Sequence, residues 1–99
     1  MIIVHDIFVC KPGNASKIAK LFREWTDIKP KKNTNVMTDM TGQYHRVIIA
    51  TNYDSLVSYE EETKHMMENQ TAEEKAMMDK FKDMNDMYVS GSREIYKVW

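Results

Sequence analysis

The sequence predicts an α+β fold in the element order β-α-β-β-α-β, with its strands in one antiparallel sheet. Three observations carry this. Residues 2–10 and the stretch Val47-Ile48-Ile49-Ala50 are strand-like apolar runs. Apolar residues recur at helical spacing from Ala15 to Ile28, and again from Leu56 to Tyr88. Turn-forming residues separate these segments at Lys11-Pro12-Gly13-Asn14, Gly42-Gln43 and Ser90-Gly91-Ser92.

The first strand is apolar on both sides. Ile3, His5, Ile7 and Val9 alternate with Ile2, Val4, Asp6, Phe8 and Cys10. That pattern suits a central strand covered on both faces. Asn14 stands where a side-chain oxygen can accept from a free amide of the first helical turn. The helix that follows carries the stripe Ala15, Ile18, Ala19, Phe22, Trp25 and Ile28, with Lys17, Lys20, Arg23 and Asp27 largely outside it. Pro30 ends it, in the basic loop Lys29-Pro30-Lys31-Lys32-Asn33.

Val36 to Thr41 reads as a short strand, Gly42-Gln43 as a hairpin turn, and Tyr44 to Tyr53 as a strong strand. Asp54 or Ser55 can cap the next helix, whose inner face is expected at Leu56, Tyr59, Thr63, Met66 and Met67. Thr71-Ala72-Glu73-Glu74 has the form of a capping box, so the helical stretch breaks near residues 69–71 and restarts. The new stripe is Met77, Met78, Phe81, Met84 and Tyr88. Ser90-Gly91-Ser92 interrupts, and Arg93 to Trp99 reads as the last strand.

This order is the ferredoxin-like βαββαβ arrangement. Right-handed crossovers place the helices on one face of a four-stranded antiparallel sheet, with the first and third strands central. The other sheet face would present either Ile3, Ile7 and Val9 or Val4 and Phe8. Either set is too apolar for open water, so a homodimer packed face to face is expected. Trp99 is expected to be ordered, against the sheet edge or a partner chain.

Composition bounds the function. The 99 residues make one domain spanning residues 1–99. Apolar residues are 42% and charged residues 29% of the chain, and the net charge is −1. That balance argues against nucleic-acid binding. Residues 1–50 hold eight basic and four acidic side chains, and residues 51–99 hold six and eleven. The Lys29, Lys31 and Lys32 cluster could meet a phosphate, but reads first as a solvated loop. No apolar run reaches the ~20 residues of a membrane span, and the opening residues do not have the form of a signal peptide. A single cysteine, Cys10, excludes an internal disulfide and fits a reducing cytoplasm. Nine methionines and ten aromatic residues are generous for so small a core, so some are expected to meet a partner or a ligand.

Three segments carry a family resemblance. They are Ile2 to Gly13, closing on Lys11-Pro12-Gly13; Ala50 to Glu60, with Asp54-Ser55-Leu56 opening the second helix; and Gly91 to Val98. The chain resembles the dimeric α+β barrel superfamily, above all its antibiotic-biosynthesis-monooxygenase-like and NIPSNAP-like members. The resemblance implies a dimer whose two sheets close into a barrel, with a pocket between sheet and helices in each protomer. Some relatives oxidise flat aromatic or quinol-type substrates with neither metal nor flavin, and others degrade haem. The haem-degrading relatives use an Asn on the first strand, and a Trp and a His on the second helix. Those positions fall here at Asp6, Tyr59 and near Asn69, and His65 lies about a turn early. None matches in identity, so that route is not expected.

Asp6 is the sharpest oddity, a carboxylate inside an apolar strand. It can be a general base with a pKa raised by burial, or a group that orients a substrate hydroxyl. The plain reading is an ion pair with a nearby Lys or Arg. His5, His45 and His65 share no metal-ligand spacing, so no metal site is expected. His65 precedes Met66-Met67 near the presumed pocket and is the candidate to assist Asp6. Met66, Met67, Met77, Met78, Met84 and Met87 form a deformable layer, read as core packing or as a wall for a flat ligand. Phe22, Trp25, Tyr59 and Met66 are the expected pocket residues. The expected function is a cofactor-independent monooxygenase-like enzyme acting on a small aromatic molecule. The alternative is a non-catalytic binding or assembly protein of the same fold. No glycine-rich phosphate loop, nucleophile elbow or dinucleotide fingerprint occurs.

Overall fold

A computed structural model describes residues 1–28, 33–41 and 45–99. The elements run β1 (Ile2–Cys10), α1 (Ala15–Ile28), β2 (Thr34–Thr38), β3 (Arg46–Tyr53), α2 (Leu56–Glu68), α3 (Ala72–Lys82), a 3-10 turn (Asp83–Asp86) and β4 (Tyr88–Lys97). The strands form one antiparallel sheet in the order β2-β3-β1-β4. The two strands with the longest apolar runs, β1 and β3, are therefore the central pair, and the fold is the expected ferredoxin-like α+β arrangement. The basic stretch 29–32 with Pro30, and the turn at Gly42-Gln43, lie outside the described residues.

Local chemistry sets the helix starts. α1 begins directly after Asn14, whose backbone carbonyl accepts from Ile18 N at 3.1 Å. Ser55 caps α2, its Oγ accepting from Ser58 N at 3.2 Å. Thr71 caps α3, accepting from Glu74 N at 3.2 Å, and Glu73 and Glu74 place negative charge in that first turn. The helical stretch thus breaks between Glu68 and Ala72, where the sequence predicted a break.

Strand register decides which side chains meet. Asp6 stands between Ile49 on β3 and Arg93 on β4, and Phe8 between Val47 and Gly91. Alternation along β1 then puts Val4, Asp6, Phe8 and Cys10 on the helical side. There Cys10, Ile18, Val47, Ile49 and Met84 form the buried core, with Phe8, Phe22 and Phe81 packed against it. Ile3, His5, Ile7 and Val9 face the other way, and His5 meets Tyr96 edge-on at 5.1 Å. The described residues measure 38 × 35 × 20 Å. The short dimension is the thickness of one sheet under one helical layer, each ~10 Å.

Four details differ from the sequence reading. β4 starts at Tyr88 rather than Arg93, because Ser90, Gly91 and Ser92 pair with Val9, Phe8 and Ile7. An irregularity between Val9 and Cys10 absorbs the change of register. β2 runs Thr34–Thr38 rather than Val36 to Thr41. It ends where the Asp39 carboxylate turns back onto Arg46, accepting from its backbone N at 3.0 Å and its Nε at 3.1 Å.

The helix faces differ too. α2 rests on the sheet through Tyr59, Thr63 and Met66. Leu56 and Met67 lie about a fifth of a turn to one side of that line and are 55% and 73% exposed. Met78 is likewise exposed, beside the buried Met77. Finally, β4 stops at Lys97, and Trp99 lies fully exposed beyond it, its ring 4.6 Å from Lys97 Nζ.

Candidate functional site

The helical side of the sheet is not filled throughout. A cavity of about 230 Å3 lies between sheet and helices. Its floor is the sheet: Asp6 from β1, Thr34 from β2, Ile49, Thr51 and Tyr53 from β3, and Arg93 from β4. Its roof is helical: Phe22, Trp25 and Thr26 from α1, Tyr59, Thr63 and Met66 from α2, and Phe81 from α3.

Aromatic rings build the wall. Phe22 and Phe81 have centroids 5.1 Å apart, and Trp25 meets Phe81 edge-on at 5.9 Å. Tyr53 and Tyr59 meet edge-on at 5.1 Å. Such pairs favour tilted and edge-to-face geometries because ring edges are positive and faces negative. The lining is thus apolar and flat-sided, with polar atoms at a few points. One is the contact between Thr34 Oγ1 and Thr51 Oγ1 at 3.3 Å. The other is ionic.

That ionic point is Asp6 with Arg93. Arg93 Nε donates to Asp6 Oδ1 at 2.5 Å, directly across the β1–β4 ladder. The carboxylate is about one-third exposed and the guanidinium about half, so the pair stands at the edge of the cavity. The hydrogen bond that Arg93 donates to Asp6 raises the Arg93 pKa above the ordinary arginine value, against the opposing pull of partial burial. The guanidinium also lies 5.8 Å from the centre of the Tyr59 ring, within cation–π range. It therefore links the edge strand to α2.

Of the residues singled out in the sequence, Asp6, Phe22, Trp25, Tyr59 and Met66 all line this one cavity. His65 is not among its lining residues. It sits about a third of a turn round α2 from Tyr59, exposed, with Nδ1 3.1 Å from Asn69 Nδ2. The sequence reading missed Arg93, Thr34, Thr51, Tyr53 and Phe81. For Arg93 a signal exists. Asp6 is the one charged residue on the inward side of β1, and an opposite charge on an antiparallel neighbour is its natural cross-strand partner. Among the described residues, no three His, Cys, Asp or Glu side chains gather to hold a metal ion, and no helix is long and apolar enough to cross a membrane.

Neither a family model nor a curated protein matches the sequence. Solved structures do match. A NIPSNAP domain protein from Burkholderia xenovorans superposes with a TM-score of 0.76 at 9% identity, covering 100% of this chain and 95% of that one. A NIPSNAP family protein from Agrobacterium tumefaciens gives a TM-score of 0.73 at 19% identity, over 97% and 90% of the two chains. A structure described as an antibiotic biosynthesis monooxygenase gives 0.66 at 11% identity, over 100% and 99%. At these identities the likeness is one of fold, and the chain has the α+β fold shared by NIPSNAP-domain and antibiotic biosynthesis monooxygenase proteins.

Proposed function

We propose that this chain is a single-domain cytoplasmic protein that binds a small, flat aromatic molecule in the cavity between sheet and helices. The observation that carries this is the lining itself. Rings from α1, α2, α3 and β3 surround a space of about 230 Å3 whose floor holds one ion pair. A one- or two-ring aromatic would meet apolar walls on its faces and the Asp6–Arg93 pair at its polar end. A homodimer forms through the helix-free face, where Ile3 and Val9 keep partial exposure and Ile7 is already buried.

In this reading the activity is cofactor-independent oxidation of a quinol-type substrate by O2. The fold shared with a protein described as an antibiotic biosynthesis monooxygenase supports it. Asp6 accepts the proton of a ring hydroxyl, which leaves an electron-rich ring for O2 to oxidise. His65 has no part in it, because it points away from the cavity.

A second reading has its own support. Asp6 is engaged by Arg93, and a carboxylate held this way suits binding without turnover. Oxygen uptake with a hydroquinone separates the two. The enzyme reading expects uptake that Asp6→Asn lowers by ~100-fold or more. Uptake no faster than in buffer would leave the binding reading alone. Sedimentation at micromolar concentration tests the dimer, and a stable monomer would overturn it.

A further inference from the structure

We propose that the Asp6–Arg93 pair is a selectivity filter, admitting uncharged aromatic hydroxyls to the cavity and turning carboxylates away. This deepens the reading above and rests on it, since it presumes that an aromatic ligand occupies the cavity.

The ion pair uses only some of its polar atoms. The bond runs from Arg93 Nε to Asp6 Oδ1. Asp6 Oδ2 and the two terminal nitrogens of Arg93 lie outside it. An acceptor and donors therefore stand side by side, and both residues line the cavity. A hydroxyl is a compact group that satisfies both at once. Its O–H donates to Asp6 Oδ2, and its oxygen accepts from an Arg93 terminal nitrogen.

A carboxylate can only accept. It could reach Arg93, but the guanidinium charge is already compensated by Asp6, and Asp6 would repel it at close range. An ether oxygen can accept from Arg93 but leaves Asp6 Oδ2 without a donor once the ligand has displaced water. Hence Arg93 alone would make an anion site, whereas Arg93 with Asp6 makes a site for a neutral donor–acceptor group. Arg93 acts here as a specificity-determining residue. Because both side chains keep some exposure, water weakens the discrimination, and about ten-fold per lost or repelled contact is the scale to expect.

The chain offers a direct readout. Its two tryptophans are Trp25, in the cavity lining, and Trp99, fully exposed. With Trp99→Phe as background, Trp25 fluorescence reports the cavity. The probes are naphthol, its methyl ether and naphthoate, which share one ring system and differ in the polar group. Naphthol should bind about ten-fold or more tightly than either of the others. Asp6→Ala should reverse the order, with naphthoate gaining about ten-fold and naphthol losing affinity. Arg93→Gln should weaken naphthol and leave naphthoate poor.

Equal binding of naphthol and naphthoate by the parent chain would overturn the filter while leaving the aromatic cavity intact. Binding of none of the three would instead overturn the cavity reading on which it rests. Circular dichroism checks that each variant is folded. If Asp6→Ala is not, Asp6→Asn serves, since it also removes the charge that repels naphthoate, and the parent series decides without either.

Discussion

Two ends of the same sheet face differ. At one end Phe8, Cys10 and Val47 meet Ile18 from α1 and Met84 from the 3-10 turn, and Ile18 and Val47 have no exposed surface. At the other, Asp6, Thr51 and Tyr53 look up at Tyr59, Thr63 and Met66, and a cavity remains between them. The strands are the same and the alternation is the same. What changes is the residue type and the helix above. α1 sinks Ile18 into the sheet, while α2 has no buried residue. The filled end supplies stability, and the hollow end, closed by aromatic rings and one ion pair, is the end at which we propose that a ligand binds.

The largest expected effect is at the filled end. Ile18→Ala should cost ~2–5 kcal/mol in urea unfolding, since it opens a hole in a fully packed layer. Thr51→Leu, at the hollow end, adds bulk where there is space. It should change stability by less than ~1 kcal/mol and abolish quenching of Trp25 by naphthol. Should Thr51→Leu destabilise as much as Ile18→Ala, the two ends would not differ as described.

How far the sequence went follows the same division. The caps at Ser55 and Thr71 and the break between α2 and α3 were legible because capping is local. The central placement of β1 and β3 was legible from two-sided apolarity. The direction of Asp6 stayed open in the sequence, because alternation puts Val4, Asp6, Phe8 and Cys10 on one face without saying which face the helices cover; its inward placement came from the structure. Its partner was hidden too, because Asp6–Arg93 depends on the register of strands whose paired residues are 87 apart in sequence. The face of α2 was misread at Leu56 and Met67 because apolar residues flank its true contact line on one side. A pattern of that kind fixes a helix better than its rotation.

A smaller effect is chemical. Cys10 is 3% exposed at the filled end, and burial pushes its thiol pKa up. A disulfide reagent at about pH 8 should modify it only as fast as the chain unfolds, whereas fast labelling of folded protein would mean the filled end opens.

The smallest effect lies at the hairpin edge. For Asp39, burial alone would raise the pKa, but the hydrogen bonds from Arg46 outweigh it and hold the carboxyl below its ordinary value. A lowered folded-state pKa stabilises above the unfolded value, ~3.9, and that stability is lost as pH falls through the folded value. Asp39→Asn should therefore be less stable than the parent at neutral pH, with the gap closing below about pH 4. A gap that stays constant with pH would contradict the ion pair.

The central claim is that the hollow end is where the molecule meets its ligand. Amide chemical shifts followed by NMR during a naphthol titration test it most directly. Saturable shifts should gather at Asp6, Thr51, Tyr59 and Arg93, while Cys10, Ile18 and Met84 stay still. Shifts centred on the filled end, or none at any residue, would contradict it.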